Sequence, residues 1–178
     1  ISEIIQGNLD IINMLKKFDI NITSAGGETA DVGDITKTMI VDSTVIAREN
    51  RKNILNCNIQ DGDVIVGLSS TGKASYEKEL NSGIGSNGLT SARHDILSEI
   101  YKRKYPETFS DETSPEFIYS GKRMVTDPCK TAINIGKLLL SPTRTYAPII
   151  KKIISSNFNN ISGIIHCTGG GQTKVLHF

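Results

Sequence analysis

The stretch Gly67-Leu-Ser-Ser-Thr-Gly-Lys-Ala-Ser75 governs how the rest of the chain is read. A strand-type run, Asp63-Val-Ile-Val66, leads into it, and a glycine, four residues and Gly72-Lys73 reproduce the spacing of a phosphate-binding P-loop. Such a loop wraps phosphate with glycine-rich backbone, reaches it with Lys and holds magnesium with Ser or Thr. Here Ala74 stands where the hydroxyl belongs, and Ser75 is one residue out of register. A helix should begin at once; instead Tyr76-Glu-Lys-Glu-Leu80 is brief and runs into Asn81-Ser-Gly83. The stretch therefore reads first as a flexible surface loop, with a P-loop as the less favoured alternative.

Working outward, Ile4, Ile5, Ile12, Leu15 and Phe18 recur at helical spacing and predict a helix over residues 1–17. Residues 20–24 are a short β-type run. Residues 36–48, rich in Val, Ile and Thr, predict a longer strand, and 64–68 and 162–167 two buried strands. Polar residues 49–61 form a connector. A second helix is predicted from the stripe Leu89, Ala92, Ile96, Leu97 and Ile100, capped by Ser86 or Asn87. A short apolar segment covers 132–140. A last helix carries Ile149, Ile150, Ile153 and Ile154, and because proline is tolerated only in a first turn, Pro148 places its start near Thr145. Helices and strands that interleave, with glycine loops at strand ends, predict an α/β or α+β fold: mixed sheets with helices packed on one face.

Composition narrows the function. The 178 residues are 38% apolar and 22% charged with a net charge of +1, an ordinary globular composition. No basic stripe suggests nucleic acid; Tyr101-Lys-Arg-Lys104 reads as a solvated helix end. No apolar run is long enough for a membrane span. Cys57, Cys129 and Cys167 are too scattered for a zinc site or disulfide framework, so a reduced, cytoplasmic setting is expected. Neither end reads as a natural terminus, and the chain is expected to be part of a longer protein.

Four further runs bear on chemistry. Gly26-Gly-Glu-Thr-Ala-Asp31 joins adjacent glycines to the oxygen donors Glu28 and Asp31, with Asp34 following. That set suits magnesium held together with phosphates, or else a plain acidic turn. Ser86-Asn-Gly88 at a helix start offers free N–H groups to an anion, with Arg93 following, or is simply a cap. Arg144 in Leu140-Ser-Pro-Thr-Arg-Thr-Tyr146 suits a phosphate fork or a solvated surface arginine. In His166-Cys-Thr-Gly-Gly-Gly171 the glycines cost chain entropy that a close backbone approach would explain, and His166 is placed to donate a proton or pair with phosphate.

In this order, GGETAD, SSTG, SNG with a helical Arg, LLSPTRTY and HCTGGG resemble the phosphoribosylformylglycinamidine cyclo-ligase (aminoimidazole ribonucleotide synthetase) family. The wording of the runs is similar to that of the Bacteroides-like branch. The resemblance implies an ATP- and magnesium-dependent ring closure of formylglycinamidine ribonucleotide in purine synthesis, by a cytoplasmic homodimer with two α/β domains per chain that binds neither nucleic acid nor membrane. It implies that residues 1–50 end the N-terminal, ATP-binding and dimerisation domain, and that 57–178 form most of the C-terminal domain. Gly26, Gly27, Glu28 and Thr29 would then line the nucleotide, with Glu28 and Asp31 on the metal. Ser69, Ser70, Gly72, Ser86, Asn87, Gly88, Arg144, Thr168, Gly169, Gly170 and Gly171 would face the substrate, and His166 would be catalytic.

The pattern is not followed throughout. The family's DGxGTK segment is not in this sequence, and Gly85 replaces the histidine before SNG. Residues 73–85 separate SSTG from SNG, which in the family are almost adjacent, and GGGQTKVLHF lacks the usual Asn and Arg. Two other readings stay open: another ATP-using member of the superfamily (selenophosphate synthetase, thiamine-monophosphate kinase or hydrogenase maturation type), or a non-catalytic, degenerate ligand-binding and dimerisation module.

Overall fold

The computed structural model describes residues 1–132 and 134–178; the side chains of Ser86 and Asn87 lie outside the description. Its helices are α1 (Ser2–Lys16), α2 (Gly85–Ile96), α3 (Ile100–Lys104), α4 (Ile135–Leu139) and α5 (Ala147–Asn157), with short 3₁₀ turns between them.

The expected mixed-sheet α/β fold is overturned. Among the described residues there is no sheet, and strand-type pairing is confined to isolated bridges at Gly72–Asn81, Leu97–Arg123, Ser98–Gly121 and Pro128–Asn134. The reason is physical: β-branched composition makes a segment suited to a pleated, half-buried surface, but a strand exists only when a neighbour takes its backbone hydrogen bonds. Residues 36–48 and 64–68 find no such neighbour among the described residues and form no strand. Val64, expected in a buried strand, is 86% exposed, and Ile46 of the expected longer strand is 91% exposed. Residues 20–24 and 162–167 are likewise without strand structure, and Cys167, expected to be buried, is exposed.

The helices follow their sequence signals more closely. Helix α1 occupies Ser2–Lys16 and buries Leu15. Its end is a Schellman closure: the Ile20 N–H donates to the Leu15 carbonyl at 3.2 Å and the Asp19 N–H to that of Lys16 at 3.1 Å. Asp19 takes the left-handed position there at φ 56°. Lys151, on α5, donates to the carbonyls of Phe18 and Asp19, both at 2.8 Å, placing a cation where the helix dipole is negative. Pro148 sits in the first turn of α5, where its missing N–H costs nothing. The stripe expected to run on to Ile100 breaks at Leu97, which turns extended at ψ 146°.

The chain forms two compact units, one of residues Ile1–Thr29, Arg48–Val66 and Thr145–Phe178, the other of Ala30–Ala47 and Gly67–Arg144. In the first, the Asn58 N–H donates to the Ser162 carbonyl at 2.8 Å, and Gly163 admits the side chains of Cys57 and Ile59. The second holds a hydrophobic core of Leu97, Ile118, Tyr119, Ile135 and Leu139, with Leu89, Ala92 and Ile96 of α2 packed against it.

Candidate functional site

In the second unit, the P-loop-like stretch is the base of a closed excursion. Gly72 and Asn81 exchange both backbone hydrogen bonds, at 3.0 and 2.7 Å, so residues 73–80 leave the chain and return to the same point. Asn81, only 4% exposed, holds that junction with its side chain. Its amide nitrogen donates to the Pro142 carbonyl at 2.8 Å and its amide oxygen accepts from the Gly83 N–H at 2.9 Å. Gly83 lies at φ +77°, and an added methyl there would come within 2.6 Å of Thr71 Cγ2 and 3.1 Å of its backbone nitrogen.

Arg144 is buried against this excursion. Its Nε donates to Glu77 Oε1 at 2.7 Å and Nη2 to Glu77 Oε2 at 2.8 Å. Nη1 donates to the carbonyls of Ser69 at 2.7 Å and Thr71 at 3.3 Å, and Nη2 to that of Gly72 at 3.0 Å. A guanidinium has five N–H donors, and each has an acceptor here. The hydrogen bond from Arg144 holds the Glu77 carboxyl below its ordinary range against the opposing pull of burial, and the Ala74 N–H assists. That N–H reaches Glu77 Oε2 at 2.7 Å, so Ala74 contributes its backbone where a P-loop would use a hydroxyl.

Of the sequence-predicted residues in this unit, Ser69, Gly72 and Arg144 are therefore brought together, and Ser70 reaches the Gly83 carbonyl at 3.5 Å. Gly88 lies on α2, as do Ser86 and Asn87, so neither precedes the helix as a cap; their side chains are outside the described residues. Asp31 accepts from the Gly33 N–H at 3.1 Å in an exposed turn.

In the first unit, Gly26, Gly27, Glu28 and Thr29 are exposed, with Gly26 at φ +107° and nothing within 4 Å of a Cβ added to either glycine. His166 sets its ring edge-on to Tyr146, centroids 6.4 Å apart. Lys174 Nζ spans the His166 carbonyl at 3.4 Å and Thr168 Oγ1 at 2.9 Å, bringing those two residues together. Gly170 and Gly171 take left-handed angles, φ 82° and 55°, which explains two of the three glycines by backbone geometry. Among the described residues no group of three His, Cys, Asp or Glu side chains forms a metal cage. Glu28 and Asp31 do not by themselves fit a resident ion, and no step is derived through one.

Sequence reasoning missed one cluster. Arg93, read as following an anion seat at 86–88, instead donates from Nη2 to the Thr108 carbonyl at 2.9 Å and lies over the Tyr119 ring at 5.8 Å. Its Nε is buried with no hydrogen-bond acceptor among the described residues. His94 is 7% exposed and packs edge-on against Tyr119 at 4.6 Å. Its Nδ1 accepts from the Tyr119 N–H at 3.3 Å, and its Nε2 lies 3.4 Å from Arg93 Nη2. Burial, and then the Arg93 charge, push the imidazole below its ordinary pKa, with Asp95 opposing. Tyr119 holds a left-handed backbone, φ 50°, in the middle of the core. Its position directly before Ser120-Gly121 was the one local hint.

Known proteins similar to this chain are ligases that close a ring. The relatives are phosphoribosylformylglycinamidine cyclo-ligases, and the chain is homologous to them. The one from Methanocaldococcus jannaschii is 30% identical over 158 residues, 88% of this chain and 36% of the relative. Those from Methanococcus maripaludis and Thermoplasma acidophilum are each 30% identical over 156 residues, 87% of this chain and 35% and 36% of the relatives. The chain thus spans about a third of the length of the curated relatives it matches, as expected of part of a longer protein. No protein-family model matches it. Among the described residues no helix is long and apolar enough to cross a membrane.

Proposed function

We propose that this chain is part of an ATP-dependent cyclo-ligase that converts formylglycinamidine ribonucleotide to aminoimidazole ribonucleotide, ADP and phosphate in purine biosynthesis. The observation that carries the reading is similarity to curated cyclo-ligases over 88% of the chain. The Bacteroides-like branch, the cytoplasmic location and the homodimer belong to the same proposal, as do the two domains, 1–50 and 57–178.

The chemistry is a dehydration driven by phosphoryl transfer. The formyl oxygen takes the terminal phosphoryl group of ATP, releasing ADP; the amidine nitrogen attacks the activated carbon; and the C–O bond to phosphate breaks as the imidazole closes. In this reading Gly26, Gly27, Glu28 and Thr29 approach the nucleotide, and magnesium would arrive with its phosphates, since Glu28 and Asp31 do not by themselves fit an ion. The same reading assigns Ser69, Ser70, Gly72, Ser86, Asn87 and Gly88 of the second unit to the ribonucleotide and, taken separately, residues 168–171 of the first, where His166 moves a proton.

The test is an assay of the longest native protein containing this chain, supplied with formylglycinamidine ribonucleotide, ATP and magnesium. One ADP per aminoimidazole ribonucleotide is expected. ATP hydrolysis uncoupled from ring closure, or no turnover, would overturn the reading. The 178-residue chain alone is expected to be inactive, because it matches only about 36% of its relatives' length.

A further inference from the structure

We propose that Arg144 and Glu77 are positioning residues: together they fix the backbone of residues 69–72, and Arg144 acts on substrate through that loop rather than by touching a phosphate. The functional half of this proposal rests on the cyclo-ligase reading, which puts substrate on that loop.

The geometry separates the two roles. A guanidinium that receives phosphate must keep N–H donors turned toward the ligand and must not be ringed by carbonyl oxygens, whose negative dipole ends repel an anion. Arg144 has the opposite surroundings: the carbonyls of Ser69, Thr71 and Gly72 and both oxygens of Glu77 take all five donors. Its side chain is 6% exposed and that of Glu77 16%. By contrast Ser69, Ser70 and Thr71 are themselves exposed. A buried cation thus gathers the carbonyls of an exposed loop and leaves its outer side preset. A loop ordered before ligand arrives spends less of the binding energy on its own ordering. Glu77 neutralises the buried guanidinium, so that the three carbonyls are not left to offset its desolvation alone.

The experiment compares Arg144→Lys and Glu77→Gln in the longest native protein containing this chain. Tryptic cleavage after Lys73 is measured without substrate, alongside KM and kcat for formylglycinamidine ribonucleotide. A positioning role predicts that both variants open the loop, raising cleavage after Lys73 roughly tenfold, and that both raise the substrate KM by a similar factor while kcat moves less. The charge swap Glu77→Arg with Arg144→Glu should fail to restore either property, because a carboxylate at position 144 would offer no donors to three carbonyls. Unchanged cleavage in both variants would overturn the proposal. So would a Glu77→Gln variant with an unchanged or lowered KM beside a raised KM in Arg144→Lys, the signature of a direct phosphate contact freed of its competitor. Absence of turnover in the unsubstituted protein would sink the cyclo-ligase reading and the substrate role with it, while Lys73 cleavage would still decide whether the clamp exists.

Discussion

Arg144 and Glu77 lie 67 residues apart in sequence and meet as a two-pronged ion pair, Nε to Oε1 at 2.7 Å and Nη2 to Oε2 at 2.8 Å. The chain has another long-range pair, Lys37 with Asp111 at 3.0 Å, and the two differ in surroundings more than in distance. Side chains of the first are 6% and 16% exposed; those of the second are 58% and 83% exposed. Water screens the second pair and leaves it worth little, whereas the first cannot lose a partner without stranding buried polar groups.

Removing the guanidinium with Arg144→Met should therefore destabilise the protein by about 3 kcal/mol, since a carboxylate and three carbonyls lose their donors together. Lys37→Ala should cost less than about 0.5 kcal/mol. Urea denaturation of the two variants checks the contrast. Equal effects would mean that burial of the Arg144 pair contributes nothing.

The same pair sets a pH window. Glu77 titrates below its ordinary value of 4.5 in the folded protein, chiefly through Arg144. A lowered carboxyl pKa contributes stability that is complete above the unfolded value and is lost as pH falls through the folded one. Unfolding free energies of the native chain and Glu77→Gln should differ most at pH 7 and converge toward pH 3. A gap that stays constant across that range would exclude the linkage.

His94 governs a separate window nearer neutrality. Its imidazole is held below 6.5 by burial and by Arg93, with Asp95 pulling the other way. The unfolded chain therefore binds the proton first, and this contribution is full above about pH 6.5 and declines below it. The native chain should lose stability between pH 7 and pH 5, by at most about 1.4 kcal/mol per pH unit for one proton. His94→Gln, which can still accept from the Tyr119 N–H, should flatten that slope. An unaltered slope would point to other groups.

What could be read from sequence follows from how far each signal reaches. Ile4, Ile5, Ile12 and Leu15 carry a helix within their own spacing, and Pro148 marks the first turn of α5 by its missing N–H; both were legible. Residues 36–48 carry strand composition, yet a strand depends on a partner that composition does not name, so the expected sheet was not found. Arg144 was legible as a residue with a purpose, but its choice between phosphate and protein is made by Glu77 and by carbonyls 72 to 75 residues away. His94 and Tyr119 carried no motif; a buried imidazole and a left-handed tyrosine become visible only when α2 and the 118–121 segment meet.

Glycines give the last prediction, because their reasons differ. A methyl on Gly121 would fall on the backbone of Ile96 and on the Asp95 carbonyl. That approach lets the Ser120 N–H reach the His94 carbonyl at 2.8 Å and the Arg123 N–H reach that of Ile96 at 3.0 Å, donors that lie on either side of Gly121 in sequence. Backbone cannot swing aside as a side chain can, so Gly121→Ala should cost at least about 3 kcal/mol, at or beyond the upper end of ordinary overpacking. A Cβ on Gly27 would meet nothing within 4 Å, and Gly27→Ala should leave stability within about 0.5 kcal/mol of the native chain. If Gly27 is a glycine because a nucleotide must come close, that same substitution should weaken ATP binding several-fold in the longest native protein while its denaturation curve stays in place. Calorimetric titration with an ATP analogue, run beside urea denaturation, separates the cases. Unchanged affinity in Gly27→Ala would remove this glycine from the nucleotide site.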